Sequence, residues 1–252
     1  MKPIIKKFLK KIIPNYILKR SRNKNLKKKF SIITKLNIHK KFDYIYKNKI
    51  WGEKYGNKFY SGHGSHNQKI VTLYVNCIKQ FLSTIKEPTV VDLGCGDFNI
   101  GSQIFPLAKK YYGVDVAEDL INFNKTKFNH LDLDFIKLDI TTDDLPKGNV
   151  CLAKHVLQHL SNKDISLFIN NITNKYKFLI ITELLPIGKF RSNFDIETNF
   201  GTRLTYNSGV VLHQPPFNLK SNSMKILLSM KDLLGLGTEL AEGKIQTLLY
   251  KL

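Results

Sequence analysis

Between residues 65 and 85 the apolar positions Ile70, Leu73, Tyr74, Cys77, Ile78, Phe81, Leu82 and Ile85 recur at intervals of three and four, the period of one helix face. Ser65 or Asn67 can cap that helix at its start, and Pro88 falls just past its end. Beyond Pro88 the period changes. Short β-rich runs at 89–93, 111–116, 134–140, 150–154 and 178–182 alternate with amphipathic stretches at 118–128 and 162–172. Such alternation predicts an α/β fold built on a parallel sheet. No internal repeat of 20 to 50 residues interrupts it.

The N-terminus follows a different pattern. In MKPIIKKFLKKIIPNYILKR the residues Ile4, Ile5, Phe8, Leu9, Ile12, Ile13, Tyr16 and Ile17 keep near-helical spacing with lysines between them, and Pro14 should kink or restart the helix. Three uses compete for it: a helix on an anionic membrane surface, a phosphate-binding arm, or a cap whose apolar face packs on the main domain. Its apolar stretches are at most three residues long, so neither a membrane span nor the continuous core of a signal peptide is read.

Charge sharpens this division. The 252 residues carry a net charge of +20. Residues 1–50 hold seventeen Lys or Arg and one acid, Asp43, whereas the remaining 202 residues are close to balanced. A wholly basic nucleic-acid-binding domain is therefore not implied for the body of the chain. The reading is a basic, amphipathic helical extension over 1–50 and a catalytic domain over 51–252. The three cysteines, Cys77, Cys95 and Cys151, form no CxxC pair, so neither a zinc site nor a disulfide framework is read and a reducing compartment is expected.

The carboxyl ends of parallel strands are where such sheets bind ligands. After the first strand comes VVDLGCGDFNIG, in which Asp92 ends the strand and Gly94 and Gly96 permit a tight turn whose amides can approach a ligand. A dinucleotide fingerprint would place a third glycine at Asn99. Asp115 closes the second strand twenty-one residues after Gly94, the distance at which a carboxylate meets ribose hydroxyls. Asp139, at the carboxyl end of the third strand, is placed to accept from an adenine amine.

That order strongly resembles the class I S-adenosylmethionine-dependent methyltransferases over about residues 88–184. The resemblance implies a Rossmann-like, seven-stranded, mostly parallel sheet with helices on both faces, closed by antiparallel strands from MKILLSM and KIQTLLYKL within 185–252. It implies S-adenosyl-L-methionine as cofactor, with Asp92, Gly94 and Gly96 at the methionine moiety, Asp115 at the ribose and Asp139 at the adenine. Trp51 and Gly52, SGHGS at 61–65 and PPFNL at 215–219 resemble a bacterial subgroup of small-molecule methyltransferases associated with surface-polysaccharide loci. There the SGxGS loop closes over the cofactor, which carries onto Ser61, Gly62, Gly64 and Ser65.

The acceptor implied is a small polar molecule, such as a sugar, nucleotide-sugar or phosphorylated glycan precursor, methylated on oxygen. One general base suffices, because the sulfonium methyl is already electrophilic. Candidates are His155 at the end of the fourth strand, Glu183 at the end of the fifth and His213 before PPFNL, while His159 reads as a packed or cofactor-side residue. Arg203 can hold a phosphate or carboxylate through bidentate contacts, and His63 can face the substrate. No metal site is read. QPPF at 214–217 follows the fifth strand and begins with Gln214, so it reads as a rigid connector and not as an adenine N6-methyltransferase motif. Two alternatives stand beside this reading: a tRNA methyltransferase whose basic arm grips phosphates, and a binding module without turnover. The expected location is cytoplasmic, with residues 1–20 available to an anionic inner membrane face.

Overall fold

A computed structural model describes residues 28–54, 56–231 and 243–252. The arm over residues 1–20 lies outside the described residues. Helix α1 (Ile38–Lys47) is capped by Asn37, whose side chain accepts from the Lys40 amide. Although α1 falls within the basic segment, Phe42, Ile45 and Tyr46 on it are buried in the main core. Helix α2 (Gln68–Leu82) starts at Asn67, whose Oδ1 accepts from Lys69 and Ile70. Of the two candidate caps Asn67 is therefore the one used, and Ser65 instead ends a 3-10 turn over His63–Ser65.

Strands β1 (Thr89–Leu93), β2 (Lys110–Asp115), β3 (Asp134–Lys137), β4 (Val150–Lys154) and β5 (Phe178–Pro186) pair in parallel. Between them run the short α3 (Gly101–Ile104), α4 (Glu118–Lys127) and α5 (Asn162–Ile172), the last capped by Ser161. A two-residue ladder joins β6 (Arg191–Ser192) to β7 (Ser208–Gly209). Strands β8 (Ser223–Lys231) and β9 (Gly243–Lys251) complete a seven-stranded sheet in the order β3-β2-β1-β4-β5-β9-β8. Strand β9 is antiparallel to both its neighbours.

Alternation sorts the core into two layers. Val91, Leu93, Val114, Cys151, Ala153, Leu179 and Ile181 face one side, where α5 contributes Ile165, Phe168 and Ile172. Val90, Tyr111, Val150, Leu152 and Ile180 face the other, against Tyr74, Val75, Ile78 and Leu82 of α2. Strands buried on both faces explain the nearly continuous apolar runs. Two strand ends differ from the sequence reading by more than one residue. Strand β3 stops at Lys137 because the following chain turns: Leu138 donates to Asp115 O, and the Thr141 amide donates to the Asp139 side chain. Strand β5 runs on to Pro186 because β9 offers it a partner along all nine residues.

Candidate active site

A cavity of about 320 Å³ opens at the carboxyl ends of β1, β2 and β4. Gly94 and Gly96 line it with φ of 77° and 57°, a region that strains any side chain. The amides of Gly94 and Cys95 both donate to Val114 O, and Gly96 N donates to Asp115 Oδ2 at 3.1 Å. A Cβ on Gly94 would stand 2.4 Å from Val156 Cγ2, and one on Gly96 2.4 Å from Ser61 Oγ. Glycine is thus required by backbone and by space.

Asp115 lines the cavity, and its Oδ1 accepts from Ala117 N at the start of α4. Burial pushes its carboxyl up to about 6, against the pull of the Ala117 and Gly96 amides. Asp139 also lines the cavity, with Oδ1 accepting from Thr141 N and Oγ1. Asp92 does not. Alternation along β1 sends it to the Val90 face, where its Oδ2 accepts from the Tyr111 hydroxyl at 2.8 Å and burial raises it to about 6.

The loop Ser61–Ser65 forms one wall and is held by a residue that sequence reasoning passed over. Asp97, just beyond the glycine turn, accepts from Ser61 N at 3.1 Å and meets His66 Nε2 at 2.5 Å, while its own amide donates to Ser61 Oγ at 2.7 Å. Tyr46 Oη lies 3.0 Å from the same hydroxyl, Tyr60 stacks on His66, and Asn99 Nδ2 donates to Ser65 O. From β4, Lys154 Nζ donates to Gly64 O at 2.9 Å. Burial lowers the Lys154 ammonium to about 8, with Asp92 and Glu183 opposing the fall. Ser61, Gly62, His63, Gly64 and Ser65 all line the cavity, and His63 Nε2 is buried with no partner.

His155 follows β4 with φ of 56°, a sparsely populated conformation for a side-chain-bearing residue, and its amide donates to Thr182 O. It lines the cavity, its Nε2 is buried without a partner, and burial holds its imidazole well below the usual range. Trp51, His159, Phe200 and Thr202 also line the cavity. The Trp51 ring lies 5.0 Å from that of His159, and its Nε1 donates to Phe200 O.

Besides Asp92, three expected site residues lie off the cavity. Glu183 sits behind the turn after β4, its Oε1 accepting from Leu157 N, and burial pushes it up to about 8. His213 Nδ1 lies 3.2 Å from the Tyr250 hydroxyl. Arg203, 1% exposed, differs most from its reading as a substrate anchor. Its guanidinium donates to the carbonyls of Phe194, Leu157, Gln158 and Leu160 and to Asn162 Oδ1, so the donors meant for a phosphate are spent inside the protein. The fold needs a cation there to gather the carbonyls of an exposed-looking loop, a demand no local pattern announces.

No family model matches the chain. The ribosomal RNA small subunit methyltransferase A of Mycoplasma capricolum is 27% identical over 121 residues, covering 46% of this chain and 42% of the relative. The chain thus spans about two fifths of that relative's length. Among solved structures, the N-methyltransferase NodS of Bradyrhizobium japonicum, in complex with S-adenosyl-L-homocysteine, superposes with a TM-score of 0.54 at 11% identity, over 74% of this chain and 90% of that one. Human N-acetylserotonin methyltransferase, in complex with SAM, gives 0.51 at 15% identity, over 86% of this chain and 60% of that one. At these identities the likeness is one of architecture, and it agrees with the strand order: the chain has the seven-stranded, Rossmann-like fold of the class I methyltransferases.

Proposed function

We propose that the protein is an S-adenosyl-L-methionine-dependent methyltransferase acting on an oxygen of a small polar acceptor. One observation carries this reading: Asp115, Asp139 and the Gly94–Gly96 turn stand around a single cavity at the carboxyl ends of the strands. The residues fit the cofactor. Each Asp115 oxygen accepts one amide and keeps a lone pair for a ribose hydroxyl. Thr141 takes one Asp139 oxygen and leaves the other for an adenine amine. The glycine turn and the Ser61–Ser65 loop would flank the methionine moiety. When bound, this cofactor supplies an electrophilic methyl group.

The remaining work falls to the chain. Neutral His155, with Nε2 unpaired, would take the proton of an acceptor hydroxyl as general base. Glu183 would act indirectly, by fixing the turn that carries His155. The loop held by Asp97 and Lys154 would exclude water. His155→Asn, which tolerates the left-handed backbone, is expected to lower kcat by about 100- to 10,000-fold while leaving S-adenosylhomocysteine affinity unchanged in calorimetry. An unchanged kcat removes His155 as the base. Lys154→Met is expected to weaken S-adenosylhomocysteine about 10-fold and to speed proteolysis in the 59–66 loop, since a charge-assisted contact to Gly64 is lost.

The acceptor class of the notional glycan precursor narrows on chemistry. Among the described residues lining the cavity Lys154 is the sole Lys or Arg, and its ammonium is committed to Gly64 O. With Arg203 spent as well, support for a phosphate at the reacting end is weak. An uncharged sugar hydroxyl is the better fit. A second reading, RNA methylation, is favoured by the ribosomal RNA methyltransferase relative and by the basic residues 1–50. Mass spectrometry for a gain of one methyl group across neutral sugars, nucleotide-sugars, phosphorylated metabolites and RNA decides between them. RNA use would also require binding that falls steeply with salt and is lost on removing residues 1–27. A membrane role for residues 1–20 is tested by vesicle sedimentation; no helix among the described residues is long and apolar enough to cross a membrane.

A further inference from the structure

Gln158 lines the cavity, is 8% exposed, and has a buried Oε1 with no partner in the protein. What fixes that oxygen in place is a relay starting at a backbone carbonyl. Gly201 O lies 2.9 Å from His159 Nδ1, and a carbonyl can only accept, so Nδ1 carries the proton. Burial and the nearby Arg203 hold the His159 imidazole down to about 4, which keeps the ring neutral and leaves Nε2 as a lone pair. Gln158 Nε2 lies 3.3 Å from that nitrogen. If the amide were flipped, two lone pairs would face each other, so the NH₂ group donates to His159 and Oε1 takes the remaining direction.

The backbone beneath is equally constrained. Arg203 gathers the carbonyls of Leu157, Gln158 and Leu160, Asn199 N donates to His159 O, and Trp51 covers the His159 ring. A polar atom so held cannot turn away from a ligand to find another partner.

We propose that Gln158 is a specificity-determining residue of the acceptor end, its amide locked by His159 so that Oε1 presents only an acceptor and selects molecules carrying a hydroxyl or N–H donor. The selection works by what a donor supplies: Oε1 has no partner in the protein, an acceptor carrying a hydroxyl or N–H gives it one, and an acceptor without a donor gains nothing there. An anion is disfavoured for the same reason, because it would bring a second acceptor to Oε1. The inference rests on the methyltransferase reading for what occupies the cavity, but its relay is a property of the ligand-free chain.

The test has two parts. Long-range ¹H–¹⁵N spectra of the full chain are expected to show His159 neutral and protonated on Nδ1 at pH 7; an Nε2–H tautomer or an imidazolium overturns the relay. The protein loaded with S-adenosylhomocysteine is then titrated with two matched pairs, cyclohexanol against cyclohexyl methyl ether and phenol against anisole. The alcohols are expected to shift the Gln158 side-chain amide and to bind about 10-fold tighter than the ethers, and Gln158→Met, melting as the parent does, is expected to erase that preference. Equal binding of alcohol and ether by the parent, no response of Gln158 to either alcohol, or a preference retained in Gln158→Met overturns the proposal. Should Gln158→Met fail to fold, the parent's alcohol-to-ether ratio and the tautomer decide alone. Failure to bind S-adenosylhomocysteine at all would instead refute the methyltransferase reading and leave the tautomer result standing.

Discussion

Asp115→Ala is expected to weaken S-adenosylhomocysteine binding by about 100- to 10,000-fold, measured by calorimetry. Two contributions add. The variant loses a buried carboxylate that would accept from ribose hydroxyls, each such charged hydrogen bond being worth about 1.5–3 kcal/mol. It also frees the Gly96 and Ala117 amides that Asp115 holds, so the glycine turn and the first turn of α4 lose their common tie. Asp115→Asn separates the two: its NH₂ can satisfy neither amide, while one oxygen survives, so an intermediate loss is expected. Parent-like affinity in the alanine variant would end the assignment of this cavity to an adenosyl ligand.

Arg203→Met should be destabilised by about 3–5 kcal/mol, the cost of removing one member of a buried, hydrogen-bonded charge network. For a chain of this size that lowers the melting temperature by about 6–20 °C. Arg203→Lys should rescue little, because an ammonium cannot reach in several directions what the planar guanidinium reaches at once. The carbonyls of Leu157, Gln158 and Leu160 would be left without their donor in a turn that lines the cavity. If Arg203→Met melts like the parent and only the acceptor KM rises, the residue is a substrate anchor after all.

These two residues mark where the sequence speaks and where it does not. Asp115 can be located because its place is set by chain distance: a tight turn, a short helix and a second strand of fixed rise bring it beside the glycine turn. Hydrophobic periodicity located β1, β2, β4, α4 and α5 to within a residue or two, and the family resemblance pointed to the Ser61–Ser65 loop that lines the cavity. Asp92 was misplaced by one step of alternation, since ending a strand beside the turn does not say which face the side chain takes; Tyr111 settles that. Arg203, Asp97 and Lys154 depend mainly on partners 31 to 90 residues away, as in the Lys154 contact to Gly64. Spacing along the chain carries no record of such pairings. Charge partition misled in a related way: residues 38–47 share the basic character of the arm, yet their apolar side, with Phe42 and Tyr46, helps wall the cavity.

The position of β9 has a consequence for synthesis. Residues 178–186 emerge well before residues 243–251, which pair with their far edge. At roughly 5–20 residues per second, the ribosome leaves that hydrogen-bonding edge bare for some seconds. During this interval the nascent chain carries an apolar template open to other polypeptides. Yield in the cell should therefore respond to translation speed across the intervening codons and to the supply of chaperones that shield unfinished sheets.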